Sequence, residues 1–131
     1  MAKRMSRAKR KKSRKRLAIG YLMPWLHDLA YRVLWSGVHD AACAYDVNLI
    51  CFPGAQLRHP RLVHRNAIYD LATPETLDGL ILGSAALASF ISSEEFEAFY
   101  QTYRPLPMVS FQQALEGVPS ITADNAQGMR D

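Results

Sequence analysis

The sequence predicts an α/β domain built on an open, doubly wound parallel sheet, and three observations carry that reading. Short apolar runs begin at residues 17, 47, 80 and 107, at intervals of 30, 33 and 27 residues. Those intervals match the roughly 30-residue size of a strand–helix–strand unit. The segments between them carry apolar residues at the 3–4 residue spacing of helices. Alternation at this period places helices on both faces of a parallel sheet, joined by right-handed crossovers.

Each element follows from its own residues. Leu17–Leu22 is a nearly continuous apolar run, as expected of a strand covered on both faces. Asp28 can cap a helix running to about Asp46, with an expected core stripe of Ala30, Val33, Leu34, Gly37, Val38, Ala41 and Tyr45 opposite Arg32, Ser36 and Asp40. Val47–Phe52 reads as a second buried strand, stopped by Pro53-Gly54. A polar loop holding Arg58, His59, Pro60 and Arg61 leads to a short helix near Arg65–Leu71, and Thr73-Pro74-Glu75 starts one further turn. Leu80-Ile81-Leu82 is the third strand, closed by Gly83. Ser92 and Glu95 stand at capping-box spacing before Phe96, Phe99, Tyr100 and Tyr103, an aromatic core face on a helix that Pro105 ends. Met108–Phe111 is the fourth strand and Val118–Thr122 a short fifth, with Asp124 as the N-cap of one more helix.

The charge is split. Of the 16 Lys and Arg residues, 10 lie in positions 1–16, where there is no Asp or Glu. Residues 17–131 carry 6 basic and 12 acidic residues, a net of −6. The globular part therefore has no basic face for nucleic acid. Residues 1–16 cannot bury a core and read as a disordered tail, with three roles open: a solvated leader, a weak salt-dependent arm for polyanions such as nucleic acid or for membrane surfaces, or a specific DNA-reading element. Cys43 and Cys51 make no disulfide framework. No apolar run reaches the roughly 20 residues of a membrane span, and Pro24 interrupts anything resembling a secretory leader. The expected location is the cytoplasm.

In such sheets a ligand sits beyond the carboxyl ends of the strands. The candidate binding residues at those ends are Trp25, Asp28, Gly83, Ser84, Ser110 and Asp124. Trp25 offers a flat apolar face to a sugar or base, or it covers the first helix. Asp28 can bond a ligand or cap that helix. Gly83 allows close backbone approach or a tight turn. Ser84 and Ser110 are small donors. No phosphate-binding loop, dinucleotide fingerprint or nucleophile elbow occurs, and His59 and His64 lack companions for a metal. No nucleophile, base and oxyanion donor assemble, so the chain does not read as an enzyme and no cofactor is expected.

Several segments, taken in order, resemble a family. Ile19-Gly20-Tyr21-Leu22-Met23-Pro24, Ser36-Gly37-Val38-His39-Asp40-Ala41-Ala42, Leu77-Asp78-Gly79-Leu80-Ile81-Leu82, Leu106-Pro107-Met108-Val109 and Ala123-Asp124-Asn125-Ala126-Gln127-Gly128 are similar to motifs of type I periplasmic-binding-protein-like domains of the lactose-repressor type. The stretches Asn48–Gly54, Asn66–Leu71 and Tyr103–Ser110 look like sensory domains fused to bacterial signalling modules. The resemblance implies an N-terminal lobe over residues 17–131, with the second lobe missing and the chain a truncated fragment. It further implies a small polar ligand, sugar- or nucleoside-like, and a homodimer in the intact protein. A DNA-associated regulator whose basic tail contacts nucleic acid is the alternative. A flavodoxin-like or response-regulator-like domain is a third, though no acidic pair ends the first strand.

Overall fold

A computed structural model describes residues 16–24 and 29–122. Among these residues nine elements follow in order. They are β1 (Ala18–Met23), α1 (Leu29–Ala44), β2 (Asn48–Pro53), a 3-10 helix (Val63–Leu71), β3 (Gly79–Leu82), the one-turn α2 (Ser84–Leu87), α3 (Ser93–Gln101), β4 (Met108–Phe111) and β5 (Ser120–Ile121). The strands form one five-stranded sheet in the order β2-β1-β3-β4-β5, every pairing parallel. The α/β parallel architecture expected from the spacing is therefore the one observed. Among the described residues no helix is long and apolar enough to cross a membrane.

β1 lies inside the sheet, and Tyr21, Leu22 and Met23 are buried on alternating faces, which is why its sequence is apolar without alternation. β2 departs from expectation. It is an edge strand with Ile50 exposed, and it takes in Pro53 instead of stopping before it. An edge tolerates proline because the missing N–H is not owed to a second neighbour.

The larger core fills one face. Leu22, Phe52, Leu80, Leu82 and Met108 of the sheet pack against Tyr69 of the 3-10 helix and Phe96 and Tyr100 of α3. The aromatic residues contact one another, with ring centroids 5.6 Å apart for Phe96–Tyr100 and 5.3 Å for Phe99–Tyr103. Their hydroxyls are used as well: Tyr103 Oη donates to the Tyr69 carbonyl at 3.0 Å, and Tyr69 Oη donates to the Ala55 carbonyl at 2.9 Å. Burial pushes both phenols well above the ordinary tyrosine range. The capping box forms as the Ser92/Glu95 spacing requires, Glu95 N donating to Ser92 Oγ and Ser92 N to Glu95 Oε1, each at 3.1 Å.

The other face holds a smaller core of Tyr21, Met23 and Ala86, with Trp35, Val38 and Ile81 packed against it. Tyr21 and Trp35 stack at 6.2 Å between centroids. Here the expected stripe of α1 is corrected. Tyr31, Trp35, Val38 and Ala42 turn toward the sheet, whereas Val33, Gly37, Ala41 and Tyr45 of the expected core stripe are exposed. Periodicity locates an apolar arc on a helix; which part of the arc meets the sheet depends on how the helix is docked.

Asp78 joins the amino ends of β1 and β3. Its carboxylate accepts from Ala18 N at 2.8 Å while its own N–H donates to the Ala18 carbonyl at 2.7 Å.

Candidate functional site

Connections leave the middle of this sheet in opposite directions. β1 passes to β2 on one side, and the chain then crosses back over β1 to β3, so the strand order reverses between β1 and β3. A crevice outside the carboxyl ends at that switch point is the ordinary ligand position in an open α/β sheet. Met23 and Pro24 leave β1 there, and Gly83 and Ser84 leave β3 beside them.

Gly83 explains how closely these ends approach. Its N–H donates to the Leu22 carbonyl at 2.9 Å, and a Cβ at this position would fall 2.5 Å from Met23 Cε and 3.2 Å from the Leu22 carbonyl oxygen. Its φ of −78° is open to any residue. Close backbone approach, rather than a turn only glycine can make, is the reason for glycine here. Met23 lies over it, fully buried.

Ser84 and Ser110 come together. Both are completely buried and their Oγ atoms are 2.6 Å apart, tying the carboxyl ends of the neighbouring strands β3 and β4. Ser110 Oγ donates to the Gln113 carbonyl at 2.6 Å, which leaves Ser84 as donor to Ser110. Both hydroxyl protons are thus held within the protein, and these serines fix the spacing of the rim. Of the remaining candidates, Trp25, Asp28 and Asp124 lie outside the described residues.

The loop after β2 adds a residue that the sequence did not single out. Gln56 is buried at the end of Gly54-Ala55-Gln56, and its Oε1 has no hydrogen-bond partner among the described residues. The loop is pinned on both sides: Ala55 N donates to Asn66 Oδ1 at 2.8 Å, Asn66 Nδ2 to the Gln56 carbonyl at 3.3 Å, and Leu57 N to the Leu87 carbonyl at 3.0 Å. The signal available in the sequence was Asn66, an amide in an otherwise helical stretch, where such residues favour bonds to nearby loops. Beyond β4, a hollow of about 190 Å³ is lined by Glu94, Glu97, Tyr100, Gln113 and Glu116 among others. Its carboxylates disfavour an anion. Burial raises the Tyr100 hydroxyl above its ordinary range, Glu97 adding to the effect, Arg104 opposing it and Glu116 adding again.

The histidine loop resolves into a turn. His59 Nδ1 accepts from Arg61 N at 3.0 Å and Leu62 N at 3.1 Å, a local cap. Among the described residues no three His, Cys, Asp or Glu side chains are placed to hold a metal ion. Burial raises the Cys51 thiol to about 11, while Cys43 is exposed beside His39, Sγ to Nε2 3.9 Å.

The fold class and rim geometry stand on the residues alone, because comparisons with protein-family models, with curated proteins and with solved structures find no match.

Proposed function

We propose that this chain is one lobe of a repressor-like sensor that holds a small polar ligand, sugar- or nucleoside-like, at the carboxyl ends of its strands. The observation that carries the reading is the strand order, which sets the ends of β1 and β3 side by side at a reversal point, with β4 locked to β3 through Ser84 and Ser110. In this reading Gly83, Ser84 and Ser110 shape a rigid rim, while Trp25, Asp28 and Asp124 supply the ligand contacts. A rigid rim matters because a site loosened by a fraction of an ångström loses the orientation that gives polar contacts their specificity. A single lobe leaves the ligand open to water on one side, so affinity is modest. In a two-lobed parent, binding would favour the closed arrangement and bias an attached output module by the difference in affinity for the two states.

The test is a thermal-shift screen of the chain against monosaccharides and nucleosides. A binder raises Tm in a concentration-dependent way, by RT ln(1 + [L]/Kd) in free energy. Trp25→Ala is expected to abolish the shift without lowering the Tm of the ligand-free chain. A panel without any shift, or a shift that survives Trp25→Ala, sinks the reading.

A further inference from the structure

Among the described residues, the buried polar side chains gather at one end of the sheet. They are Gln56, Ser84 and Ser110. Gln56 follows β2, Ser84 follows β3, and Ser110 of β4 pairs with Leu82, the last residue of β3. The two serines satisfy each other and the Gln113 carbonyl. Gln56 differs, because its Oε1 is buried and accepts no hydrogen bond among the described residues. Tyr21 Oη is the other buried side-chain atom without a partner there, and it belongs to the small core beneath α1, its ring stacked on Trp35.

The loop that carries Gln56 runs across the switch point. It leaves β2 at Pro53, the register partner of Met23 in β1. Leu57 N then donates to the carbonyl of Leu87, at the end of α2 beyond β3. Since β1 lies between β2 and β3, the loop passes the carboxyl end of β1, where the strand order reverses. Its backbone is held at each step. Ala55 N donates to Asn66 Oδ1, the Ala55 carbonyl accepts from Tyr69 Oη, and the Gln56 carbonyl accepts from Asn66 Nδ2 and His59 N. A loop so fixed does not carry the amide to a partner elsewhere. A buried acceptor left without a donor costs more than an ordinary hydrogen bond gains, whereas an apolar side chain of the same shape avoids that cost. Methionine would fill the same length, so packing gives no reason for glutamine.

We propose that Gln56 is a ligand-recognition residue, whose amide oxygen accepts from a hydroxyl or N–H of the molecule bound at the carboxyl ends of the strands. This assignment rests on the rim being a ligand site, and it adds the chemistry that the ligand brings there. At 8% exposure the amide belongs to the inner wall, within reach of a donor that projects into the rim, as a ring hydroxyl of a sugar or an N–H of a base does. A phosphate or carboxylate oxygen set against it is disfavoured, because neither oxygen carries a proton to share. Discrimination follows from the same atom: a buried polar group that a ligand hydroxyl pairs rejects the analogue that lacks it.

Thermal unfolding of the full chain carrying Gln56→Met, alone and with D-ribose or adenosine, tests this. With nothing added, the variant is expected to unfold at the wild-type temperature or above it, because the unpaired oxygen is gone and the side-chain length is kept. With whichever of the two compounds stabilises the wild type, Kd should rise by about tenfold or more, which corresponds to ~1.4 kcal/mol. A variant that unfolds below the wild type with nothing added overturns the proposal, since Gln56 is then structural. Stabilisation by D-ribose or adenosine that survives the substitution undiminished overturns it too. If neither compound shifts the wild type, the failure falls on the ligand class, and the unfolding of the variant alone decides for Gln56: an equal or higher Tm supports a group held for a bound donor, and a lower one overturns it.

Discussion

Two residues show how little room the rim allows. A Cβ on Gly54 would fall 2.6 Å from Tyr69 Cζ and 2.9 Å from its hydroxyl. That ring is held by its bond to the Ala55 carbonyl and packed in the core, so it cannot swing aside as a flexible chain end would. Gly54→Ala is expected to cost about 1–3 kcal/mol of unfolding free energy, the usual range for overpacking. At Gly83 the crowding atoms are the mobile end of Met23, and the same substitution should cost clearly less, apart from a contact with the Leu22 carbonyl. Chemical denaturation of the two variants compares them directly; equal losses would contradict the assignment of Tyr69 as the rigid neighbour. Neither contact was legible in the sequence, because both join residues brought together by the crossovers. The Ser84–Ser110 bond is of the same kind: the sequence marks two small polar residues at strand ends, and only the pairing of β3 with β4 turns them toward each other.

At the scale of elements, α3 is the one whose start was readable in full. Ser92 and Glu95 stand three apart before an aromatic face, and both reciprocal bonds form. Removing the cap oxygen by Ser92→Ala is expected to cost about 1 kcal/mol. Glu95 adds a pH dependence. The Ser92 N–H it accepts lowers its carboxyl below the ordinary value; burial opposes this, and the nearby Arg58 guanidinium and the Ser92 hydroxyl lower it further. A carboxylate depressed in the folded state stabilises above its unfolded value of about 4.3 and loses that contribution as pH falls through the folded value. Glu95→Ala should therefore lower Tm at neutral pH, with the deficit shrinking as the solution is made acidic. A deficit that stayed constant with pH would rule out the ionised carboxylate as its source. In α1 the sequence was half informative. Its arc was visible, but the docking angle that partly buries Trp35 and exposes Val33 is a property of the sheet beneath it.

Across the whole molecule the two faces of the sheet are unequal. One is closed by the 3-10 helix and α3, and the other is covered by α1 alongside an open groove. Buried phenols are found on both, which gives a probe of the fold as a unit. Burial, with smaller contributions from Cys51 and Tyr31, raises Tyr21 to about 12, and Tyr69 and Tyr103 are raised further. Their folded values lie above the unfolded value of about 10, so the stability tied to the neutral phenol is full below pH ~10 and is lost as pH rises toward the folded values. In an alkaline titration, tyrosinate absorbance from these three should appear together with the loss of circular dichroism. Their ionisation one by one in a chain that stays folded would contradict the packing described for both cores.

The amino-acid order by itself determined the α/β class, the parallel direction of the strands and, apart from the one-turn α2, the span of each described element to within a few residues. These follow from local rules: apolar runs of strand length, helical spacing between them, and intervals that only a crossover can fill. Tertiary structure alone decided the order β2-β1-β3-β4-β5, the edge position of β2, the meeting of Ser84 with Ser110 and the face of α1 left open. The physical reason is one of range. Backbone propensity and side-chain period act over a few residues, whereas register, neighbour choice and docking angle are set by which distant surfaces exclude water from each other.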